Sequence, residues 1–364
     1  MPEQSQSPDI SPRIKVVGVG GGGCNAVSRM FEDRIPGVEY IAVNTDAQAL
    51  IRCEVPQRMK IGSTLTRGLG VGGNPDLGRE AAEESRDELA DALKASDMVF
   101  IAAGMGGGTG TGASPMIAEM CKELGTLTVA VVTKPFLFEG PKRMKAAEDG
   151  IHKLQEKVDT LIAIPNERLL AICDRKVAAQ AAFKLADDVL HQAVQAIAEI
   201  VTMAGDINLD FADVKAIMSN AGRAWMGIGI GRGENRAVDA AKAALNCPLL
   251  DTSIEGAKGV LFNISGGSNL SLAEVHAAAQ LITESVDSNA TVFFGMVTDN
   301  KMEDQVRITL LATGFPVEQL SAEKDTVAQL LETVNITNGG HQDLDLPPFV
   351  RRAQQSGRKP RLPY

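Results

Sequence analysis

Two glycine-rich segments, each placed between an apolar run and a helical pattern, constrain the fold of this chain more than any other feature. The first segment, Gly-Val-Gly-Gly-Gly-Gly at 18–23, follows an apolar run at 14–17. The second, Gly-Met-Gly-Gly-Gly-Thr-Gly-Thr-Gly at 104–112, follows an apolar run at 98–103. A strand that ends in glycines and continues as a helix brings bare backbone N–H groups to a helix N-terminus, which favours an anion. Two such segments aimed at one ligand predict a polyphosphate.

Short apolar runs alternate with helical stretches from residue 14 to about 175, which is the pattern of a parallel sheet covered by helices on both faces. The predicted strands are 14–17, 39–43, 98–103, 128–133 and 160–165, and the predicted helices are 24–32, 78–95, 113–124 and 141–157. Open α/β folds bind ligands at the carboxyl ends of their strands, so both glycine segments are expected at one edge of the sheet. The fold class is therefore α/β with a Rossmann-like parallel sheet.

The second half of the chain has a different pattern. Residues 177–203 contain neither Gly nor Pro and predict one central helix, about 40 Å long at ~1.5 Å per residue. Four predicted strands follow at 224–230, 259–265, 290–297 and 305–312, with helices at 235–246 and 272–286 between them. This order predicts a smaller α+β domain with a mixed four-stranded sheet.

Charge and cysteine usage exclude several classes of protein. The net charge of −10 argues against a nucleic-acid binder and against direct binding to a membrane surface. Five cysteines without a C-x-x-C pair indicate reduced thiols in a cytoplasmic protein. No apolar run approaches the ~20 residues of a transmembrane segment, and the polar first twelve residues do not form a signal peptide. A cytoplasmic protein without a transmembrane segment is expected.

The first glycine segment alone leaves two kinds of nucleotide site open. Its Gly18-x-Gly20-x-x-Gly23 pattern matches the dinucleotide fingerprint, so an NAD(P)-binding oxidoreductase is the alternative. A Walker A loop is excluded because the chain has no G-x-x-x-x-G-K-[ST]. A dinucleotide site needs one glycine loop for its pyrophosphate, whereas two loops can also enclose a terminal phosphate. The alternative that 104–112 is a flexible linker is disfavoured, because the segment lies between a strand and a helix. Thr109 and Thr111 in this segment add hydroxyl donors for a phosphate.

The sequence Gly-Gly-Gly-Thr-Gly-Thr-Gly at 106–112 matches the signature of the tubulin/FtsZ superfamily, and residues 13–316 resemble its bacterial-type FtsZ family of cell-division GTPases. The resemblance implies GTP or GDP as ligand, with Mg²⁺ between phosphate oxygens and held mainly by ligand and water. It also implies a γ-phosphate-sensing loop at 70–75, where Val71 and Gly73 replace the usual alanines. The implied phosphate contacts are Gly21, Gly22, Gly72, Gly107, Gly108, Thr109 and Gly110, and the implied ribose and base-edge contacts are Glu139, Arg143 and Asn166.

Base selection can be argued from two residues of the central helix. Phe183 and Asp187 are four positions apart and share a helix face, so a ring can stack on a base while a carboxylate accepts from the N1–H and N2–H₂ groups of guanine. Adenine lacks this donor pair and would leave the carboxylate unpaired. The alternative makes Phe183 a core residue and Asp187 a solvated charge. With the resemblance, guanine recognition by Asp187 and Asn25 is favoured.

Neither glycine segment contains Lys, Arg or an acid that could orient a water molecule for phosphoryl transfer. The candidates are Asn208, Asp210 and Asp213, which open a helix at the far end of the central helix and resemble the FtsZ synergy loop. Helix capping is the alternative role of the two acids. By resemblance they complete the site of the next subunit in a head-to-tail filament, so that hydrolysis depends on polymerisation. A non-hydrolysing scaffold of the same family is a further alternative, disfavoured by the presence of both acids.

The resemblance also implies the domain organisation and the partners. The expected parts are a disordered N-terminus at 1–12, a GTP-binding domain at 13–176, the central helix at 177–203, the synergy loop and following helix at 204–220, a C-terminal α+β domain at 221–316, a short linker at 317–343 and a partner-binding peptide with a basic end at 344–364. The peptide Asp-Leu-Pro-Pro-Phe-Val-Arg at 345–351 resembles the segment that docks membrane tethers and division regulators at mid-cell, with an incidental Pro-rich end as the alternative.

Overall fold

The structure is a computed structural model that describes residues 12–172, 179–202, 207, 210–247, 254–299, 302 and 304–315. The described residues, all of which lie at or before Phe315, form one compact unit. The predicted linker, the peptide at 345–351 and the basic end lie outside the described residues, as do Asn208 and residues 1–11.

A seven-stranded sheet forms the first half of the fold, with strand order β3-β2-β1-β4-β5-β6-β7. Its strands are β1 Ile14–Val19, β2 Val38–Asn44, β3 Gln57–Lys60, β4 Met98–Gly104, β5 Leu127–Lys134, β6 Thr160–Pro165 and β7 Gly222–Arg223. All neighbours pair in parallel, and the central strands are buried on both faces, as their continuous apolar sequences predict. The strand order reverses between β1 and β4, which places the binding edge there.

Helices cover both faces of this sheet. They are α1 Gly20–Glu32, α2 Ala47–Ile51, α3 Ser63–Thr66, α4 Pro75–Glu84, α5 Arg86–Leu93, α6 Thr109–Glu123, a 3-10 helix Leu137–Glu139, α7 Pro141–Gln155 and α8 Asn166–Ile172. The single helix predicted at 78–95 was wrong, because the chain breaks at Ser85, whose hydroxyl accepts from the Gly62 N–H at 3.2 Å. Strands β3 and β7 and the short helices α2, α3 and α8 were not predicted.

Both glycine segments are more helical than their sequence indicates. The helix predicted from residue 24 begins at Gly20, and the helix predicted from residue 113 begins at Thr109. Glycine disfavours helix by about 1 kcal/mol per residue, but close backbone contacts override that preference here. A Cβ on Gly23 would lie 2.3 Å from the carbonyl oxygen of Ala102, so only glycine allows α1 to lie this near β4.

The central helix α9, Ala179–Thr202, joins the two halves of the fold. Its residues Val189, Ala193 and Ile197 belong to the same buried cluster as Val131 of β5 and Leu311 in the second half. Its 24 residues span about 36 Å.

The second half contains the predicted mixed four-stranded sheet, in the order β10-β9-β11-β8. The strands are β8 Trp225–Arg232, β9 Gly259–Gly266, β10 Thr291–Thr298 and β11 Gln305–Thr313, and the helices are α10 Phe211–Met218, α11 Arg236–Leu245 and α12 Leu272–Glu284. Strands β9 and β10 are parallel, whereas β11 runs antiparallel to both β8 and β9. Trp225 and Phe262 lie in the separate core of this half. No helix among the described residues has the length and apolar content needed to cross a bilayer.

Candidate functional site

The two glycine segments lie side by side at the edge where the strand order reverses. Val19 at the end of β1 is paired with Ala103 of β4. A Cβ on Gly20 would lie 2.7 Å from the Gly110 nitrogen, and one on Gly22 would lie 3.4 Å from the Gly104 nitrogen. The N-termini of α1 and α6 therefore converge on one place, and their unpaired N–H groups together form an anion-binding edge.

Some of these glycines border open space, and others hold the loops together. A Cβ on Gly21, Gly72 or Gly107 would meet no heavy atom within 4 Å. In contrast, a Cβ on Gly108 would lie 2.4 Å from Val71 Cγ2. We call the set Gly21, Gly22 and 107–110 the glycine cradle, because its open members leave room for a ligand against bare backbone.

This difference predicts unequal effects of two neighbouring substitutions on stability. Gly108→Ala is expected to lower the free energy of unfolding by about 1–3 kcal/mol, since its methyl also lies 2.9 Å from the Asn74 backbone nitrogen. Gly107→Ala is the matched control and is expected to leave stability nearly unchanged, because its methyl enters open space. Thermal denaturation without added nucleotide measures both. Equal melting temperatures for the two variants would contradict the packing assigned to Gly108.

The segment at 70–75 lies against the second glycine segment. Val71 is buried and touches the Gly108 position, and the Gly70 N–H donates to the Thr45 carbonyl at 3.2 Å. Gly72 and Gly73 have φ values of +57° and +80°, a left-handed conformation that glycine adopts readily. The larger side chain at Val71, where alanine is usual in the resembling family, thus fills the contact between the two loops.

The threonine hydroxyls are engaged within the protein. The hydroxyl oxygens of Thr109 and Thr45 lie 2.7 Å apart, and Thr111 Oγ1 accepts from the Gly106 N–H at 2.8 Å. These hydrogen bonds do not remove the expected donors, because a hydroxyl that accepts a hydrogen bond still has its own proton to donate to a phosphate. Thr111 fixes the left-handed Gly106, whose φ is +92°, and Thr109 keeps a proton for a ligand only when Thr45 is the donor.

The ring of Phe183 is part of an aromatic cluster at the rim of the site. It packs edge-to-face against Phe136 and Phe138, with ring centroids 5.4 Å and 6.3 Å apart, and 43% of its surface remains exposed. The alternative that Phe183 is a core residue is therefore wrong. A half-exposed, braced ring is suited to stacking on a planar ligand.

Asp187 is a largely buried carboxylate, not a solvated helix charge. Its side chain is 13% exposed, and Arg29 Nη1 of α1 lies 3.4 Å from its Oδ2. Burial raises the pKa of Asp187 to about 6, the Arg29 guanidinium opposes that rise, and neighbouring Asp188 adds to it. The carboxylate is thus mostly ionised at neutral pH but becomes protonated on mild acidification.

Arg29 is a site residue that the sequence analysis missed. Its Nη1 also lies 3.2 Å from Asp188 Oδ1 and donates to the Lys184 carbonyl at 2.8 Å. It is four positions after Asn25, which is exposed on the same helix. The four-residue spacing from Asn25 was the only sequence signal that could have pointed to Arg29. The residues of α9 that Arg29 contacts lie more than 150 positions further along the chain, so the sequence did not reveal them.

Three further predicted residues line the same edge. Asn166, the first residue of α8 directly after β6, is buried, and its Oδ1 has no hydrogen-bond partner among the described residues. Such an acceptor calls for a donor from a ligand or water. Glu139 forms an ion pair with Arg143 at 2.9 Å and accepts from the Phe136 N–H at 2.9 Å. This pair fixes the turn that carries the aromatic cluster.

The predicted catalytic acids lie elsewhere. Asp210 precedes α10 in extended backbone, its side chain is exposed, and it makes no side-chain capping hydrogen bond. Asp213 lies in the first turn of α10. Between Asp187 and the end of α9 at Thr202 there are fifteen residues, or about 22 Å of helix. Helix α10 lies at the opposite edge of the sheet, where the Met218 carbonyl accepts from Thr160 Oγ1 at the start of β6, at 2.6 Å. The acids that open α10 are therefore on the other side of the sheet from the glycine cradle of their own chain.

Comparison with known proteins identifies both halves of the fold. Residues 13–174 match the model of the Tubulin/FtsZ family, GTPase domain, and residues 222–316 match that of the FtsZ family, C-terminal domain. A solved FtsZ dimer from M. jannaschii is 47% identical with a TM-score of 0.80, and the match covers 84% of this chain and 89% of that chain. A mutant FtsZ from M. jannaschii is 48% identical with a TM-score of 0.80, covering 84% and 92%.

A more distant structure, the GDP-bound monomer of CetZ1 from Haloferax volcanii, shares the fold at 22% identity, with a TM-score of 0.73 and coverage of 84% and 94%. The match to a GTPase domain means GTP and GDP binding and GTPase activity at the level of the family, and it replaces the alternative of an NAD(P)-binding oxidoreductase. The chain shares its fold and nearly half of the matched residues with FtsZ over most of its length, so it belongs to the tubulin/FtsZ family.

Proposed function

We propose that this protein is a GTP-dependent, polymerising cytoskeletal protein that forms the cytokinetic ring in cell division and hydrolyses GTP at the interface between subunits. The observation that carries the proposal is the separation of two half-sites. The glycine cradle can bind phosphates but contains no acid of its own, whereas Asp210, beyond the far end of α9, is exposed and makes no capping hydrogen bond. A second copy placed head-to-tail would unite them. The solved FtsZ from M. jannaschii, 47% identical, is described as a dimer.

The nucleotide would lie along the edge of the sheet where the strand order reverses, with its base and its phosphates bound by different residues. In this proposal Asp187, Asn25 and Asn166 face the guanine, Phe183 stacks on it, and Glu139 with Arg143 borders the ribose. The phosphates lie against the glycine cradle, with the γ-phosphate next to Gly72. The described residues contain no group of three acidic, His or Cys side chains that could hold a metal. As the family resemblance implies, Mg²⁺ would be held mainly by phosphate oxygens and water, where it would neutralise charge on the phosphates.

Hydrolysis needs a water molecule aligned with the γ-phosphate. Asp210 of the adjoining subunit would accept a hydrogen bond from that water and orient it, with Asp213, three residues later on the same helix face, and Asn208 completing the arrangement. Because these groups come from another copy, a monomer with bound GTP would be nearly inactive.

The test of the proposed function is the dependence of turnover on protein concentration. Phosphate release per molecule is expected to rise steeply with concentration and then to level off, in step with light scattering induced by GTP and not by NAD. A flat turnover profile would contradict a shared site. Scattering that rises without phosphate release would favour the non-hydrolysing scaffold.

The buried carboxylate predicts an acid limit to nucleotide binding. The N1–H and N2–H₂ groups of guanine donate to both oxygens of Asp187 only when its carboxyl is ionised. The pKa of this carboxyl lies near 6 in the free protein. As the pH falls below about 6 the carboxyl is protonated, so GTP affinity is expected to fall about tenfold per pH unit.

Arg29→Gln is expected to move this limit to higher pH, because the cation that favours the ionised form is removed. At pH 7 GTP affinity should fall several-fold and recover as the pH is raised. Arg34→Gln removes an exposed cation just past the end of the same helix and is the control. Titration of GTP binding between pH 5 and pH 8.5 measures the shift. An unchanged profile for Arg29→Gln would remove Arg29 from base recognition.

The remaining partners are proposed from the sequence resemblance alone. The peptide at 345–351 would dock membrane tethers and division regulators, placing a cytoplasmic filament at mid-cell without a transmembrane segment of its own. Nucleic acid is not among the proposed partners.

A further inference from the structure

A cleft between three helices lies outside the nucleotide site. It has a volume of about 300 Å³ and is formed by residues of α4, α6 and α7. Its lining includes Thr111 and Gly112 but no residue of the glycine cradle. This volume is at the small end of the range for ligand sites, so an occupant must be a small molecule.

The lining of this cleft is cationic on an acidic protein. It presents four basic side chains, Arg79, Lys142, Lys145 and Lys153, against two acidic ones, Asp76 and Asp149. The local charge of +2 contrasts with −10 for the whole chain. Such a concentration of one sign of charge in a concave site attracts ligands of the opposite sign.

The three lysines of the cleft have no carboxylate within ion-pair distance among the described residues. Asp149 is four residues from both Lys145 and Lys153, yet it forms no ion pair with either in the part of the chain that the structure describes. Just past the end of α7, Lys157 is paired with Glu119 of α6 at 3.2 Å. The lysine outside the cleft is thus neutralised by Glu119, whereas the lysines that line the cleft repel one another, a repulsion that a bound anion would relieve.

Thr111 separates this cleft from the glycine cradle. A Cβ on Gly150 of α7 would lie 2.3 Å from Thr111 Cγ2, so the methyl group faces α7 and the cleft. The hydroxyl of Thr111 faces the other way and accepts from the Gly106 N–H. The small residues Ala146 and Gly150 keep the α7 wall open beside it. The two sites therefore lie on opposite sides of one residue.

We propose that the cleft between α4, α6 and α7 is a second anion site, which binds a small soluble molecule carrying two or more phosphate groups. Each of the three lysines carries a compact charge on a flexible side chain, so together they can bind phosphate groups in several arrangements. The site is distinct from the nucleotide site and is accessible while GDP is bound.

The proposal is tested by calorimetric titration of inositol trisphosphate into the full chain saturated with GDP. One-to-one binding is expected, and the triple variant Lys142→Gln, Lys145→Gln, Lys153→Gln should bind about tenfold more weakly or worse. The charge-matched control replaces the exposed Lys122, Lys242 and Lys258 by Gln and should retain the affinity. Amine acetylation read by mass spectrometry should show the three cleft lysines protected by the probe and Lys157 unprotected.

Four outcomes would overturn the proposal. They are no binding at millimolar probe, equal weakening in both triple variants, protection that does not distinguish Lys157 from the cleft lysines, and binding that occurs only without GDP. Binding to phosphatidylglycerol vesicles without binding of the soluble probe would assign the lysines to a lipid surface instead and would equally reject a site for a small solute.

Discussion

Asp187→Asn is expected to change the preferred base of this protein from guanine to xanthine. The carboxylate offers two acceptors to the N1–H and N2–H₂ donors of guanine. An asparagine amide offers one acceptor and one donor, so its NH₂ group would face the guanine NH₂. Xanthine has an oxygen at that position and pairs with the amide at both atoms. The substitution therefore exchanges one satisfied pair of hydrogen bonds for another.

The magnitude follows from the burial of the side chain. Hydrogen bonds to a charged group contribute about 1.5–3 kcal/mol each, and an unpaired buried donor costs a further ~1–3 kcal/mol. Asp187 is 13% exposed, so water compensates little of this loss. GTP affinity should fall by about 100-fold or more, and XTP should bind with an affinity near that of GTP for the unmodified protein. Competition titrations with both nucleotides measure the ratio.

The same variant has a second readout that a general loss of folding would not produce. Asparagine does not titrate, so the acid limit of nucleotide binding near pH 6 should disappear when XTP is used. Asp188→Asn is the matched control, because this neighbour is also paired with Arg29, at 3.2 Å, but is more exposed. It should keep the preference for GTP. If Asp187→Asn still preferred GTP, the guanine contact would have to be assigned to another residue.

Much of this fold follows from the sequence, because its strands are buried on both faces and read as continuous apolar runs. The glycine segments were located correctly at the edge where the strand order reverses. Their helical starts at Gly20 and Thr109 were not predicted, since the stabilising contacts with Ala102 and Val71 are long-range. The exposed strand β3, Gln57–Lys60, was missed because it has no apolar pattern.

The electrostatics of the site were less accessible to sequence reasoning. Spacing on one helix placed Phe183 and Asp187 together, but it did not reveal the burial that raises the pKa of Asp187 or the approach of Arg29 from α1. Likewise, the sequence suggested Thr109 and Thr111 as donors to a phosphate, but it did not reveal that their hydroxyls also bond to Thr45 and Gly106. Pairings between distant segments depend on how the helices pack, and that packing leaves no local signal.

Asp210→Ala is expected to leave GTP binding intact and to lower turnover by about 100-fold or more, the usual range for loss of a group that orients or deprotonates the nucleophile. Since the Asp210 side chain forms no capping hydrogen bond, its removal should change stability little. Asp239→Ala, which removes an exposed acid from the first turn of α11, is the control and should hydrolyse GTP normally. Normal turnover by Asp210→Ala would leave this acid without a catalytic role.

Mixing the two variants distinguishes catalysis within a chain from catalysis between chains. Asp210→Ala subunits bind GTP but lack the acid, whereas Asp187→Asn subunits retain the acid and bind XTP. With γ-labelled GTP and unlabelled XTP, labelled phosphate can arise only at a nucleotide site of Asp210→Ala. If the acid acts on the neighbouring subunit, the mixture should release labelled phosphate at up to half of the rate of the unmodified protein, although each variant alone releases almost none. Co-sedimentation without labelled phosphate release would instead place the acid's action within its own chain and would overturn the shared site.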